Sequence, residues 1–133
     1  MNKLSNTISE DLTSSFRDSS QRVHELSKDL TDEQFWTRPY SYGNSFGHLT
    51  LHLIGNLNHF IGAQIANTGY VRNRDREFSD TNPPGKAEVL AKLDQTLEMV
   101  VSAIQAQTDE DWSLETDAVA SADALDVQAG AAD

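Results

Sequence analysis

The chain has 133 residues, enough for one domain with a real core, and an apolar share of 38% that keeps that core modest. Its formal net charge of -11 argues against nucleic acid, whose phosphates need Lys and Arg to displace counterions, and against an anionic membrane surface. There is no cysteine, which excludes disulfides, thiolate metal sites and cysteine nucleophiles.

The charge is unevenly spread. From Thr108 to Asp133 there are eight acids and no Lys or Arg, so the first 107 residues carry a net of only -3. No apolar run approaches the roughly 18 to 20 residues of a membrane span. The start, Met1 to Thr7, lacks the apolar core of a signal peptide. The expectation is a soluble cytoplasmic protein.

From about Thr7 to Leu30 apolar residues recur at helical spacing: Ile8, Leu12, Phe16, Val23, Leu26 and Leu30, with Ser19 in the register between Phe16 and Val23. Thr7 or Ser9 is placed to cap this first helix. Thr31-Asp32-Glu33-Gln34 reads as a fresh N-cap and a short helical turn. The loop that follows holds Pro39 and Gly43, which forbid a continuous helix. Phe35, Trp36, Tyr40 and Tyr42 make it aromatic. They suit either a hydrophobic plug over the end of a bundle or one wall of a ligand pocket.

Asn44 or Ser45 opens a second helix that runs to about Asn67, with Gly69 as its stop. Three of the four histidines lie on it, at 48, 52 and 59. At about 100° per residue, His48, His52, Asn56 and His59 fall within about 80° of one another. Zinc and nickel accept neutral imidazole, and His at i and i+4, as at 48 and 52, can share one ion. The same strip also suits polar packing, and that is the bland reading for His48 and His59. Asn56 is placed either to orient a ligand or to bond a neighbouring helix. Gly47, Gly55 and Gly62, eight and seven apart, share a face, which points to a tight helix crossing there or a short kink.

Tyr70 to Gly85 reads as a long charged connector ending in Pro83-Pro84-Gly85. Its Arg72, Arg74 and Arg76 suit an anionic group or, more simply, a solvated loop paired with Asp75, Glu77 and Asp80. A third helix spans about Lys86 to Gln107 with the stripe Val89, Leu90, Leu93, Leu97, Val100 (or Val101) and Ile104. Thr108 to Trp112 looks like a capped extra turn with Trp112 packing back. The Ala- and Asp-rich segment from Glu115 to Asp133 reads as an acidic tail, disordered or weakly helical.

Ser45-Phe46-Gly47-His48-Leu49-Thr50-Leu51-His52-Leu53-Ile54-Gly55-Asn56 resembles the DinB-like (YfiT-type) superfamily, in its branch with a GHLxLHLxGN-type second helix. Leu30-Thr31-Asp32-Glu33-Gln34-Phe35-Trp36 resembles that family's lead-in, and Arg72-Asn73-Arg74-Asp75-Arg76-Glu77-Phe78 its charged loop. The resemblance implies an all-α up-down bundle of four helices, often a homodimer, with a divalent metal (Zn, Ni or Mn) on three histidines. The frame S-x-G-x-L-x-x-H places His52 as the ligand from the second helix, with His48 as a substitute candidate. The family's other two ligands form an HxxxH pair on its last helix. No histidine follows His59 in this chain. The expected organisation is therefore an incomplete bundle over residues 1–114, with three clear helices and the fourth missing or degenerate, and a tail over 115–133. An apolar strip is expected where the fourth helix would pack. The implied activity is that of a metal-dependent transferase or hydrolase, or a remnant of one, acting on a small or thiol substrate; the alternative is a non-catalytic interaction bundle with no metal. A partner-binding role for the acidic tail is a third possibility.

Overall fold

A computed structural model describes residues 3–79 and 83–113. The elements are α1 (Lys3–Ser27), α2 (Asp32–Trp36), α3 (Phe46–Leu57) with a π-helical continuation (Asn58–Ala63), α4 (Arg74–Ser79), α5 (Lys86–Gln105) and α6 (Asp109–Ser113). There is no strand among the described residues. The architecture is the all-α bundle the sequence predicts, with α5 at its centre and α1 and α3 packed on it. The acidic tail and the place of a fourth helix lie outside the described residues.

Two clusters make the core. Phe35, Ile54, Val89 and Leu93 are joined by Val23, Leu30, Trp36, Phe46 and Leu51 at one end. Leu57, Val100 and Ile104 are joined by Leu12, Phe16, Ile61, Met99 and Trp112 at the other. The α5 stripe lies where its spacing predicts, and Trp112 packs back as expected. Thr31 and Gln34 form a reciprocal capping box at α2, so two orphan N–H groups at the start of that short helix are met. Thr108 and Asp111 do the same for α6.

The first helix differs from its prediction. It starts at Lys3 and ends at Ser27. At its start, the Ser5 N–H donates to Asp109 Oδ1 at 2.8 Å, and the Ser5 hydroxyl donates to the same oxygen. A carboxylate at a helix N-terminus satisfies orphan amides and the positive dipole end. At its other end, Lys86 Nζ donates to the carbonyls of Ser27 (3.0 Å), Lys28 (3.4 Å) and Leu30 (2.6 Å). The buried line is also shifted. Ser5, Ser9, Ser20 and Ser27 are buried, whereas Ser19 is exposed and Leu26 is 60% exposed. Small side chains face α5, and the leucine expected there points outward.

The second helix ends earlier than predicted. After Leu57 the chain widens into a π turn, in which the Gln64 N–H reaches the His59 carbonyl at 3.3 Å. Asn67 and Gly69 then take positive φ and stop it. A short helix, α4, stands inside the predicted connector. The four aromatic residues of the loop separate into a packed and an exposed pair. Phe35 is fully buried and Trp36 donates from Nε1 to the Pro84 carbonyl at 3.0 Å, so these two are the plug. Tyr40 and Tyr42 stack on each other and are 65% and 75% exposed.

Candidate functional site

The three histidines of the strip have three different fates. His48 is buried, with its ring edge-on to Trp36 and its Nδ1 against the Ser45 hydroxyl, which also accepts from the His48 N–H at 3.0 Å. Ser45 is the N-cap of α3, so His48 is tied into the start of its own helix. His59 has Nε2 3.1 Å from Gln64 Nε2 and packs edge-on against Phe60. His24, away from the strip, bridges α1 to α5 through Asp94 at 2.7 Å.

His52 is set differently. Its side chain is 32% exposed, beside Leu49 and Leu53, which are 52% and 36% exposed. On its other side His52 meets an ion pair. Arg72 grips Glu77 with both arms of its fork, Nε to Oε2 and Nη2 to Oε1, each at 2.9 Å. Their side chains are 9% and 8% exposed. A bidentate guanidinium–carboxylate pair of this kind holds both groups in one orientation. Glu77 Oε1 lies 3.2 Å from His52 Nδ1. Arg72 Nη2 lies 3.1 Å from the same nitrogen and 3.4 Å from the His52 carbonyl oxygen.

The helix makes room for this pair by a missing atom. A Cβ at Gly55 would stand 1.8 Å from Glu77 Oε2 and 3.2 Å from Arg72 Nε. The three glycines therefore do mark close approaches, but to three different partners. Gly47 admits Trp36 and Phe35, Gly55 admits Glu77, and Gly62 admits Met99 of α5. A single helix crossing along that face is not what they serve. The cross-helix amide is likewise Asn58: its Nδ2 donates to the Ile54 carbonyl and to Thr96 Oγ1 of α5, both at 2.9 Å.

The connector arginines also separate. Arg74 and Arg76 are exposed, as a solvated loop predicts, while the Arg72 and Glu77 side chains are turned inward. Opposite Leu49 and Leu53, a groove of about 510 Å³ runs between α3, residues 70–77 and α5, lined by Gly55, Asn58, Tyr70, Arg76, Glu77 and Lys92. Burial pushes the Tyr70 phenol above its ordinary pKa, the Glu77 charge adds to the rise, and Arg72 opposes it. Tyr70 is thus a neutral hydroxyl at the groove wall, able to donate.

A metal on three side chains needs donors that converge. Among the described residues no three His, Asp or Glu side chains are grouped to hold an ion. Glu77 has both oxygens engaged by Arg72. The described residues therefore form no closed donor set. Among the described residues no helix is long and apolar enough to cross a membrane.

No curated protein and no solved structure matches the chain. The sequence model of the DinB superfamily matches residues 15–129, which takes in α1 from its second half, the His52 helix, the Arg72–Glu77 pair and α5. With the greater part of its length matched, and a helical bundle bearing a histidine at the frame position on α3, the chain belongs to the DinB superfamily.

Proposed function

We propose that this protein is a metal-dependent member of the DinB superfamily in which His52 is the ligand that α3 contributes. The observation that carries this reading is the separate setting of His52. Of the three imidazoles on the strip, His48 is packed into the helix start, and His59 is bonded to Gln64. His52 stands a third exposed beside the exposed Leu49 and Leu53 of α3. The remaining ligands come from outside the described residues: tail carboxylates, or a second copy of the chain. A divalent metal there would act as a Lewis acid, activating a thiol or water for transfer or hydrolysis. This chain's own contribution is to hold one imidazole at the rim of an apolar face, where a small substrate can approach along Leu49 and Leu53.

The absence of a convergent donor group among the described residues favours a second reading, a non-catalytic bundle with no metal. Metal analysis of protein purified without a histidine tag separates the two. The expected result is a stoichiometric divalent ion that His52→Ala removes and His48→Ala does not. Less than about a tenth of an equivalent of Zn, Ni or Mn, with a melting temperature unmoved by any of these ions, sinks the metal reading.

A further inference from the structure

We propose that the groove between α3, residues 70–77 and α5 binds a small organic monocarboxylic acid, its carboxylate against Lys92 and the Tyr70 hydroxyl and its short apolar body on Leu51 and Ile54. His52 is not part of that lining, so the groove stands whether or not a metal binds at His52.

The charge in the groove runs against that of the chain. The whole sequence carries a net charge of -11, yet Lys92 and Arg76 line the groove, and Glu77 is the one carboxylate among its described lining residues. Both Glu77 oxygens are held in the Arg72 fork at 2.9 Å, so that negative charge is already matched. Lys92 has an acidic neighbour one turn back, Glu88, at 4.0 Å, with the two side chains 52% and 61% exposed. An exposed pair of that kind is worth little, so the ammonium can turn to an incoming anion at small cost.

Hydrogen-bonding groups with capacity to spare sit beside that charge. Thr96 is 5% exposed, and its Oγ1 accepts from Asn58 Nδ2 at 2.9 Å. Its own hydrogen goes to no acceptor among the described residues. Buried hydroxyls rarely leave a donor unmatched, and a molecule entering the groove that Thr96 lines can supply the acceptor. The Tyr70 hydroxyl has no partner among the described residues either, and burial together with the Glu77 charge keeps it protonated. Leu51 and Ile54, which belong to the core cluster behind the groove, give it an apolar floor. One ammonium and two neutral hydroxyl donors match a single negative charge on two oxygens. The face of a phosphate, with more charge and three acceptor oxygens, calls for a denser set of donors. An apolar floor also favours an acid with a carbon body over an inorganic anion.

The test is a titration of the full chain, followed by 1H–15N NMR at constant ionic strength, with butyrate, n-butanol and inorganic phosphate as separate probes. Butyrate should shift the amide signals of Tyr70 and Thr96 and the side-chain amide of Asn58 saturably, with a dissociation constant of about 1 mM or somewhat weaker for so small a ligand. Lys92→Gln and Tyr70→Phe should each weaken it about three- to tenfold. Lys28→Gln, which removes an exposed lysine outside the groove, should leave it unchanged. The Tyr70 hydroxyl bonds none of the described residues and Lys92 is exposed, so both groove variants should keep the wild-type circular dichroism. Shifts that do not saturate up to about 100 mM butyrate overturn the proposal. So does butyrate binding that both groove variants leave unchanged. Butanol binding as well as butyrate would make this an apolar groove only, and phosphate binding more tightly than butyrate would make it an inorganic-anion site; either result overturns the proposal too.

Discussion

Replacing Gly55 by alanine sets helix propensity against tertiary packing, and the two predict opposite signs. On propensity alone, Gly to Ala inside α3 gains about 1 kcal/mol. The new Cβ, however, would sit 1.8 Å from Glu77 Oε2 and 2.6 Å from Glu77 Cδ. A carboxylate at the end of a flexible side chain can swing aside, but here only by releasing Arg72, whose side chain is 9% exposed. Breaking a buried pair and leaving one charge uncompensated costs about 3–5 kcal/mol. The net expectation is a loss of about 2–4 kcal/mol. For a chain of this length, at roughly 4 °C per kcal/mol, that lowers the melting temperature by roughly 8–16 °C. Thermal unfolding followed by circular dichroism, with urea unfolding beside it, measures both. The control is Gly55→Ala added to Glu77→Ala. With the carboxylate gone the alanine should cost nothing more and recover part of the propensity gain, so the two substitutions should be strongly non-additive. An unchanged or raised melting temperature in Gly55→Ala refutes the placement of Glu77 against α3.

Lys86→Met should destabilise by about 1–3 kcal/mol, because the Lys86 ammonium is the donor to the carbonyls of Ser27, Lys28 and Leu30 at the end of α1. A change below about 0.5 kcal/mol in urea unfolding, the range of ordinary surface substitutions, would mean that it caps nothing. For Tyr70 the sign follows from its raised pKa. The folded phenol holds its proton more tightly than the unfolded one, so its contribution to stability is present below pH 10.0 and is lost as pH rises through the folded value. In a Tyr40→Phe, Tyr42→Phe protein the phenolate absorbance should therefore appear at higher pH in the folded chain than in urea. Coincident titrations would refute the burial of Tyr70 beside Glu77.

Periodicity and capping chemistry made much of this fold legible. The α5 stripe, the Thr31–Gln34 box and the return of Trp112 are local or nearly local patterns, and each stands where its spacing puts it. The first helix shows where such patterns mislead. Leu26 fits the apolar register, yet Ser27 is buried in its place, because the close packing of α1 on α5 and the bond from Lys86 set the rotation of the helix. The widened turn after Leu57 leaves no mark in an apolar pattern, since a π turn changes the register without changing the composition.

Of the candidate site, the position of His52 was readable from its motif and its surroundings were not. Arg72 and Glu77 look like members of a solvated charge run, alternating as they do with Asp75 and Arg76. Only the tertiary fold shows that the two ends of that run, Arg72 and Glu77, turn inward while the residues between them stay exposed. The one signal that pointed there was Gly55, a glycine in the middle of a helix that had to be admitting something. Sequence spacing shows that a neighbour must come close, but it does not name the neighbour.

The serine line on α1 has a consequence for how the protein comes apart. Apolar burial is worth about 25 cal/mol per Å², and α1 draws it from Leu12, Phe16 and Val23, which pack on the two core clusters, while the buried Ser5, Ser9, Ser20 and Ser27 add little. Its two ends carry polar fastenings besides: Asp109 at one and Lys86 at the other. Releasing either fastening should loosen α1 while α3 and α5 stay together on Phe35, Ile54, Val89 and Leu93. Amide exchange should then run through α1 first and α5 last, so the order of opening is set by two polar fastenings rather than by the depth of the core.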